Sequence, residues 1–211
     1  MKPIDDIHKE IKSSTRRNIK KAEKAGVKIK TGICKKDYIA FYELMTETRK
    51  RQGSPPYSKA FFTHLFSNLD SSQIQLFMAF KNDQPIAGII MFYHGATALY
   101  AYGASVSDTK LLQMRPNDLL FWTVIKDANQ KGFKDFDFGI THLSNQGLLR
   151  FKSQWGTINE EFKYTYYLNN INRTPSIDRS GKIAKLISRI FRVAPPPLLK
   201  ITGPIALKLL G

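Results

Sequence analysis

Apolar residues change their period three times along the chain. Residues 5–25 carry sparse apolar positions (Ile7, Ile11, Ile19, Ala22) in a strongly polar background, which predicts one helix closed by Gly26 and followed by the short extended run "VKIK". From Asp37, which can cap, Ile39, Phe41, Tyr42, Leu44 and Met45 recur at helical spacing until Gly53. The rigid break "SPPY" leads to a second helix starting at Ser58, with Phe61, Phe62, Leu65, Phe66 and Leu69 on one side. The pattern then turns to short apolar runs, "IQLFMAF", "PIAGIIMFYH" and "ALYAYGASV", separated by "KNDQ" and "GAT", which predict an antiparallel meander. "SDTKLLQMR" reads as a loop before Pro116, a residue suited to the first turn of a helix ending at Gly132. "FKDFDFG" reads as a short strand and "NQGLLRFKSQWG" as a short helix. "TINEEFKYTYYL", with Phe162, Tyr164, Tyr166 and Leu168 alternating, reads as a last strand.

This order predicts an α/β domain in which helices flank a mixed, mainly antiparallel sheet. The strand "ALYAYGASV", the helix after Pro116 and the strand "FKDFDFG" form a parallel crossover, and ligands in such sheets sit beyond the carboxyl ends of the strands.

Charge divides the chain in three. Residues 1–36 hold twelve Lys/Arg against four Asp/Glu, residues 173–211 eight against one, and the residues between thirteen against twelve. The expected organisation is a basic N-terminal helix and linker (1–36), a globular domain (37–172) and a basic amphipathic tail (173–211). Basic arms favour polyanions such as RNA, anionic lipid head groups or phosphorylated substrates, and they also serve as plain solvated helix faces. In the tail, Ile183, Leu186, Ile187, Ile190 and Phe191 oppose Lys182, Lys185, Arg189 and Arg192. A basic amphipathic helix followed by an apolar stretch suits an anionic membrane surface bound through residues 181–211, or packing on the domain itself.

Other chemistries find no pattern. A single cysteine, Cys34, allows no internal disulfide, and no Cys/His spacing suits a metal. There is no Ser-His-Asp spacing, P-loop or nucleophile elbow. The amino terminus has no apolar signal core and no run is long enough to span a bilayer, so the expectation is a cytoplasmic protein, peripheral on the inner face of the membrane.

The segments "RRNIKKAEKAGVKI", "ETRKRQGSPPYSKAFF", "YAYGAS", "PNDLLFWTVIKDANQKGFKDFDFG" and "GLLRFKSQWG", in this order, resemble the FemAB-like branch of the GNAT acyltransferase fold. That branch includes peptidoglycan interpeptide-bridge aminoacyltransferases. The resemblance implies a single GNAT-like domain corresponding to the second of the two such domains these enzymes carry, so a first domain would come from a partner chain. It implies transfer of an acyl or aminoacyl group to an amine of a peptidoglycan or surface-glycan precursor. The acyl donor is either an aminoacyl-tRNA or an acyl-CoA. "SDTKLLQMRPND" lacks the glycine-rich loop with which CoA-using members cradle pyrophosphate, so the basic arms point to the RNA-borne donor. The alternative, from another class, is a non-catalytic lone domain binding RNA, anionic lipid or a partner subunit.

The resemblance places Phe151 and Lys152 at the acyl-donor end of the site, with Lys152 stabilising a tetrahedral oxyanion. By spacing alone Lys152 is equally a charge on a short helix whose apolar face is Leu148, Leu149 and Phe151. Asp135 and Asp137 share one side of their strand, and Asp137 can accept a proton or simply pair with a lysine. Tyr100 and Tyr102 alternate along the meander's third strand. Gly103 marks a bulge that would expose backbone N–H groups to an acyl carbonyl. Arg51 and Tyr57 flank "GSPPY", where the resemblance places a phosphorylated acceptor, and His142 lies near the expected strand end.

Overall fold

The computed structural model describes residues 1–32, 34–163, 165, 167 and 182–210. In chain order the elements are α1 (Ile4–Glu10), α2 (Ser13–Lys24), β1 (Lys28–Thr31), α3 (Lys35–Gln52), α4 (Lys59–Asn68), β2 (Ile74–Lys81), β3 (Gln84–His94) and β4 (Thr97–Ser105). There follow α5 (Thr109–Gln113), α6 (Pro116–Gln130), β5 (Asp135–Asp137), α7 (Gln146–Lys152), α8 (Lys182–Val193) and α9 (Pro196–Leu210). The strands form one sheet in the order β1-β2-β3-β4-β5, antiparallel except for the β4–β5 pair. The α/β architecture read from the sequence is therefore the architecture present.

Local signals explain most boundaries. The Ser58 hydroxyl accepts from Phe61 N–H and starts α4. Pro116 occupies the first turn of α6, where its missing N–H costs nothing. Asn82 and Asp83 take positive φ in the β2–β3 turn, as short polar residues tolerate.

Helices cover both faces of the sheet. Phe41 of α3 and Phe62 of α4 are buried on one face, and Leu120, Val124 and Ala128 of α6 on the other. Gly88 of β3 marks the close approach of α3: a Cβ there would lie 2.6 Å from Met78 Sδ and 2.8 Å from the Phe41 ring. Gly88→Ala is expected to lower stability by about 1–3 kcal/mol through overpacking, read as a shifted urea midpoint.

Four expectations need correction. Residues 5–25 are two helices. Ile11 turns extended between them and enters the core, 1% exposed, while Lys12 N–H donates to Gln154 O at 3.0 Å. The helix expected from Asp37 starts two residues earlier: Asp37 sits in the first turn and its carboxylate accepts from Cys34 N–H. The "SDTKLLQMR" loop contains α5, capped by Asp108. The last strand is absent among the described residues of 157–168. Ile158 is 90% exposed there, and β5 offers only three residues to pair with. Tyr164, Tyr166 and Leu168 lie outside the described residues.

Candidate functional site

β4 and β5 pair only at Thr97–Asp135, Ala98–Phe136 and Leu99–Asp137. Beyond Leu99, β4 runs on to Ser105 with β3 on one side alone. The other edge opens into a wedge between the two strands. Val106 N–H bonds to Ile86 O of β3, whereas Ser105 N–H bonds away from β3, to the Thr48 hydroxyl at 2.9 Å. Ladder alternation then puts the Gly103 N–H on the open edge as well.

The β3–β4 register slips between Ile90, opposite Tyr102, and Met91, opposite Tyr100, so Ala101 is the extra residue. The expected irregularity is present, but at Ala101 and not at Gly103. Its effect is to send the two tyrosines to opposite faces. Tyr102 meets Tyr57, Phe61 and Phe62 on the α4 side, with ring centroids 5.5–5.9 Å apart. Tyr100 packs on Phe121 of α6, centroids 4.8 Å apart, where burial pushes its phenol up to about 12. Gly103 lies beneath the Tyr100 hydroxyl, which a Cβ would strike.

Lys152 ends α7, a helix capped by the Asn145 side chain, and is only 7% exposed. Its ammonium donates to Gly139 O at 2.6 Å, at the mouth of the wedge. The Gly139 N–H donates to Asp137 Oδ1 at 2.6 Å, so one glycine holds both charged groups. Burial lowers the Lys152 pKa, and the Asp137 charge works in the opposite direction. Gly139 has φ +70°, a left-handed conformation that glycine takes at no steric cost. α7 is seated by aromatic packing: Phe121 lies 5.0 Å from Phe151, 5.7 Å from Trp155 and 5.7 Å from Phe138.

The sequence-derived candidates therefore divide. Lys152, Phe151, Asp137, Tyr100 and Gly103 gather around Gly139 and Phe121. Tyr57 and Tyr102 meet each other on the far face, with Arg49 over the Tyr57 ring. Arg51 spans the end of β4, donating to Ser105 O, Val106 O and the Ser107 hydroxyl. His142 is exposed, its Nδ1 2.8 Å from Ser144 Oγ in a tight turn.

Three features carried no sequence signal. Thr48 of α3 both accepts from and donates to the Ser105 backbone, fixing the end of the open edge. Thr141 Oγ1 and Trp155 Nε1 are buried without a protein hydrogen-bond partner. Asp118, in the first turn of α6, is buried against α2, where Asn18 donates to it at 3.3 Å. Burial raises its carboxyl pKa, and Asn18 and Arg115 oppose that rise. Among the described residues no cluster of three or more His, Cys, Asp or Glu is placed to hold a metal.

A five-stranded mixed sheet whose one parallel pair splays open, with a helix crossing between those strands, is the acyltransferase fold called GNAT. The chain belongs to the family described as an acetyltransferase (GNAT) domain, matched over residues 9–163. It is 32% identical over 92 residues to a lipid II:glycine glycyltransferase of Staphylococcus haemolyticus, covering 40% of this chain and 22% of that protein. It is 30% identical over 92 residues to the same-named protein of Staphylococcus aureus, covering 40% and 21%. The fold matches a crystal structure of FemX with TM-score 0.66 at 18% identity, over 74% of this chain and 56% of that one. It matches an aminoglycoside acetyltransferase from a soil metagenomic sample with TM-score 0.52 at 18% identity, over 68% and 97%. The FemAB-like resemblance is thus borne out, for a chain spanning about a fifth of the length of the curated relatives and little more than half of FemX.

Proposed function

We propose that the chain is the donor-side domain of a FemAB-like transferase. It moves an acyl or aminoacyl group from an activated ester to an amine of a peptidoglycan or surface-glycan precursor. The catalytic unit is built on residues 37–172, with the basic segment 1–36 packed into it through Ile11, Ile19 and β1, and residues 173–211 form a basic arm. A partner chain or further domain supplies the opposite wall of the cleft. The work is done at the inner face of the membrane, where lipid-linked acceptors are held.

The observation that carries this proposal is the buried Lys152 ammonium at the wedge between β4 and β5. The acceptor amine attacks the ester carbonyl, and negative charge develops on its oxygen. Lys152 and the Gly103 N–H stabilise that oxyanion, and the attacking nitrogen's proton passes to Asp137. Collapse expels the alcohol of the donor, which takes as it leaves the proton that Asp137 received. The direct test mixes the purified chain, alone and with a first-domain partner, with labelled aminoacyl-tRNA or labelled acetyl-CoA and a lipid-linked precursor. Transfer from either donor supports the proposal, and its absence from both, with and without the partner, overturns it.

Two features favour the RNA-borne donor. The start of α6, where a CoA pyrophosphate would sit, is filled by Asp118 and covered by Asn18 of α2. On α2 itself Arg17, Lys20, Lys21 and Lys24 form one exposed basic row with no apolar residue in it. The inner face of the same helix reaches the site, where Thr15 Oγ1 donates to Gln154 Oε1 at 3.1 Å, two residues from Lys152. Lys20→Glu with Lys24→Glu is expected to weaken binding of an acceptor-stem RNA hairpin. It should also flatten the salt dependence by about 0.7–0.9 log units per log unit of salt for each phosphate no longer neutralised. Fluorescence anisotropy over a salt series reads both.

A further inference from the structure

The carboxyl-terminal arm folds back on the domain through only part of its apolar surface. Phe191, Ala194 and Leu199 are buried, and Ser188 and Gly203 lie against Gly53 and Pro56 at the end of α3. Lys200 pairs with Glu43 at 2.7 Å. A surface helix needs one apolar stripe to dock. α8 carries a second, outward stripe of Leu186, Ile190 and Val193, and α9 another of Leu198, Ile201 and Ile205.

These outward stripes converge on the elbow between the helices. Ile190 is 53% exposed, Val193 80% and Ile201 67%, and Pro195, Pro196 and Pro197 are exposed between them. Exposed apolar residues gathered in one short segment call for a covering partner. The charges beside them select its chemistry. Arg189 and Arg192 are exposed beside the elbow, with Arg192 Nε lying over Gly53, and residues 180–211 hold six Lys/Arg and no Asp or Glu. Among the described residues no helix is long and apolar enough to cross a membrane.

We infer that the α8–α9 elbow is an interfacial anchor. Ile190, Val193, Leu198 and Ile201 enter the acyl boundary of an anionic leaflet, and Arg189 and Arg192 sit among its head groups. The anchor deepens the proposal of a membrane-held acceptor by naming the surface that meets the lipid. Its evidence, exposure and charge, is independent of any transfer activity.

The test is sedimentation of the full chain with vesicles of phosphatidylcholine, or of phosphatidylcholine half replaced by phosphatidylglycerol. Binding only to the anionic vesicles is expected. Arg189→Gln and Arg192→Gln should each weaken it roughly fivefold. Ile190→Glu with Ile201→Glu should remove it while leaving the thermal melting midpoint unchanged, since both side chains face solvent. Three results would each overturn the inference: no binding to either vesicle, binding indifferent to the double glutamate variant, or loss of a concentration-dependent dimer in that variant with vesicle binding intact. The last would assign the elbow to a second copy of the chain. Transfer from the labelled donors by the same variants, measured separately from vesicle binding, separates failure of the anchor from failure of the transferase proposal.

Discussion

Lys152→Met is expected to cut the transfer rate by about a hundredfold to a thousandfold, the usual cost of losing one oxyanion donor. The loss should fall on kcat, because the ammonium acts on charge that exists only in the transition state. The fold should survive, since methionine keeps the unbranched apolar stem in the same buried slot. Lys152→Arg should recover little, because a planar fork does not fit a seat shaped by one carbonyl. The pH profile adds an independent check. Burial lowers the Lys152 pKa, so activity that needs the ammonium should fall as pH rises through a value below the ordinary lysine range. Stability moves in the opposite sense. Between the folded and unfolded pKa values the unfolded chain holds more protons, so stability rises with pH across that window. In Lys152→Met that rise should vanish. A wild-type alkaline limb at the position of a solvated lysine, or a variant with undiminished kcat, would remove Lys152 from the chemistry.

Phe121→Ala is expected to cost about 3–5 kcal/mol of stability. Phe121 is buried and touches Tyr100, Phe138, Phe151 and Trp155, so one truncation leaves a void where α6, β4 and α7 meet. For a chain of this size the melting midpoint should fall by on the order of ten degrees. α7 should loosen first, and transfer activity should be lost at temperatures where the sheet is still folded. Phe121→Leu, which keeps most of the volume, should cost under about 1.5 kcal/mol and retain activity. Calorimetry together with amide exchange at residues 146–152 checks both statements. Equal losses from the two variants would show that the ring does not seat α7.

Much of the frame is legible in the sequence because local chemistry decides it. Ser58 caps α4, Pro116 opens α6, and the β2, β3 and β4 runs each bury a face against a helix already marked by its own period. What stayed illegible depends on partners far away in sequence. The break at Ile11 is set by a core it cannot see locally and by a carbonyl at Gln154. The alternation in "TINEEFKYTYYL" looks like a strand, but a strand needs a neighbour, and the described part has none. For the site, the "FK" pair was identifiable by resemblance, while period alone made Lys152 a surface charge. Only the packing of α7 on Phe121 buries it. Asp118 and Thr48 gave no signal because each acts only through long-range hydrogen bonds, to Asn18 and to the Ser105 backbone.

Ala101 is a small, ordinary residue, yet its presence as a supernumerary position in β4 decides which aromatic ring lines the wedge. Tyr100 and Tyr102 are chemically alike, and either would pass for the other in a comparison of composition. What distinguishes them is parity. Were Ala101 paired with β3 like its neighbours, strict alternation would carry Tyr100 to the side of the sheet that holds Tyr102, away from Lys152. The two rings should therefore keep their faces through exchanges of side chain at Ala101, and even through its loss, and exchange them only if the bulge itself is absorbed into the ladder.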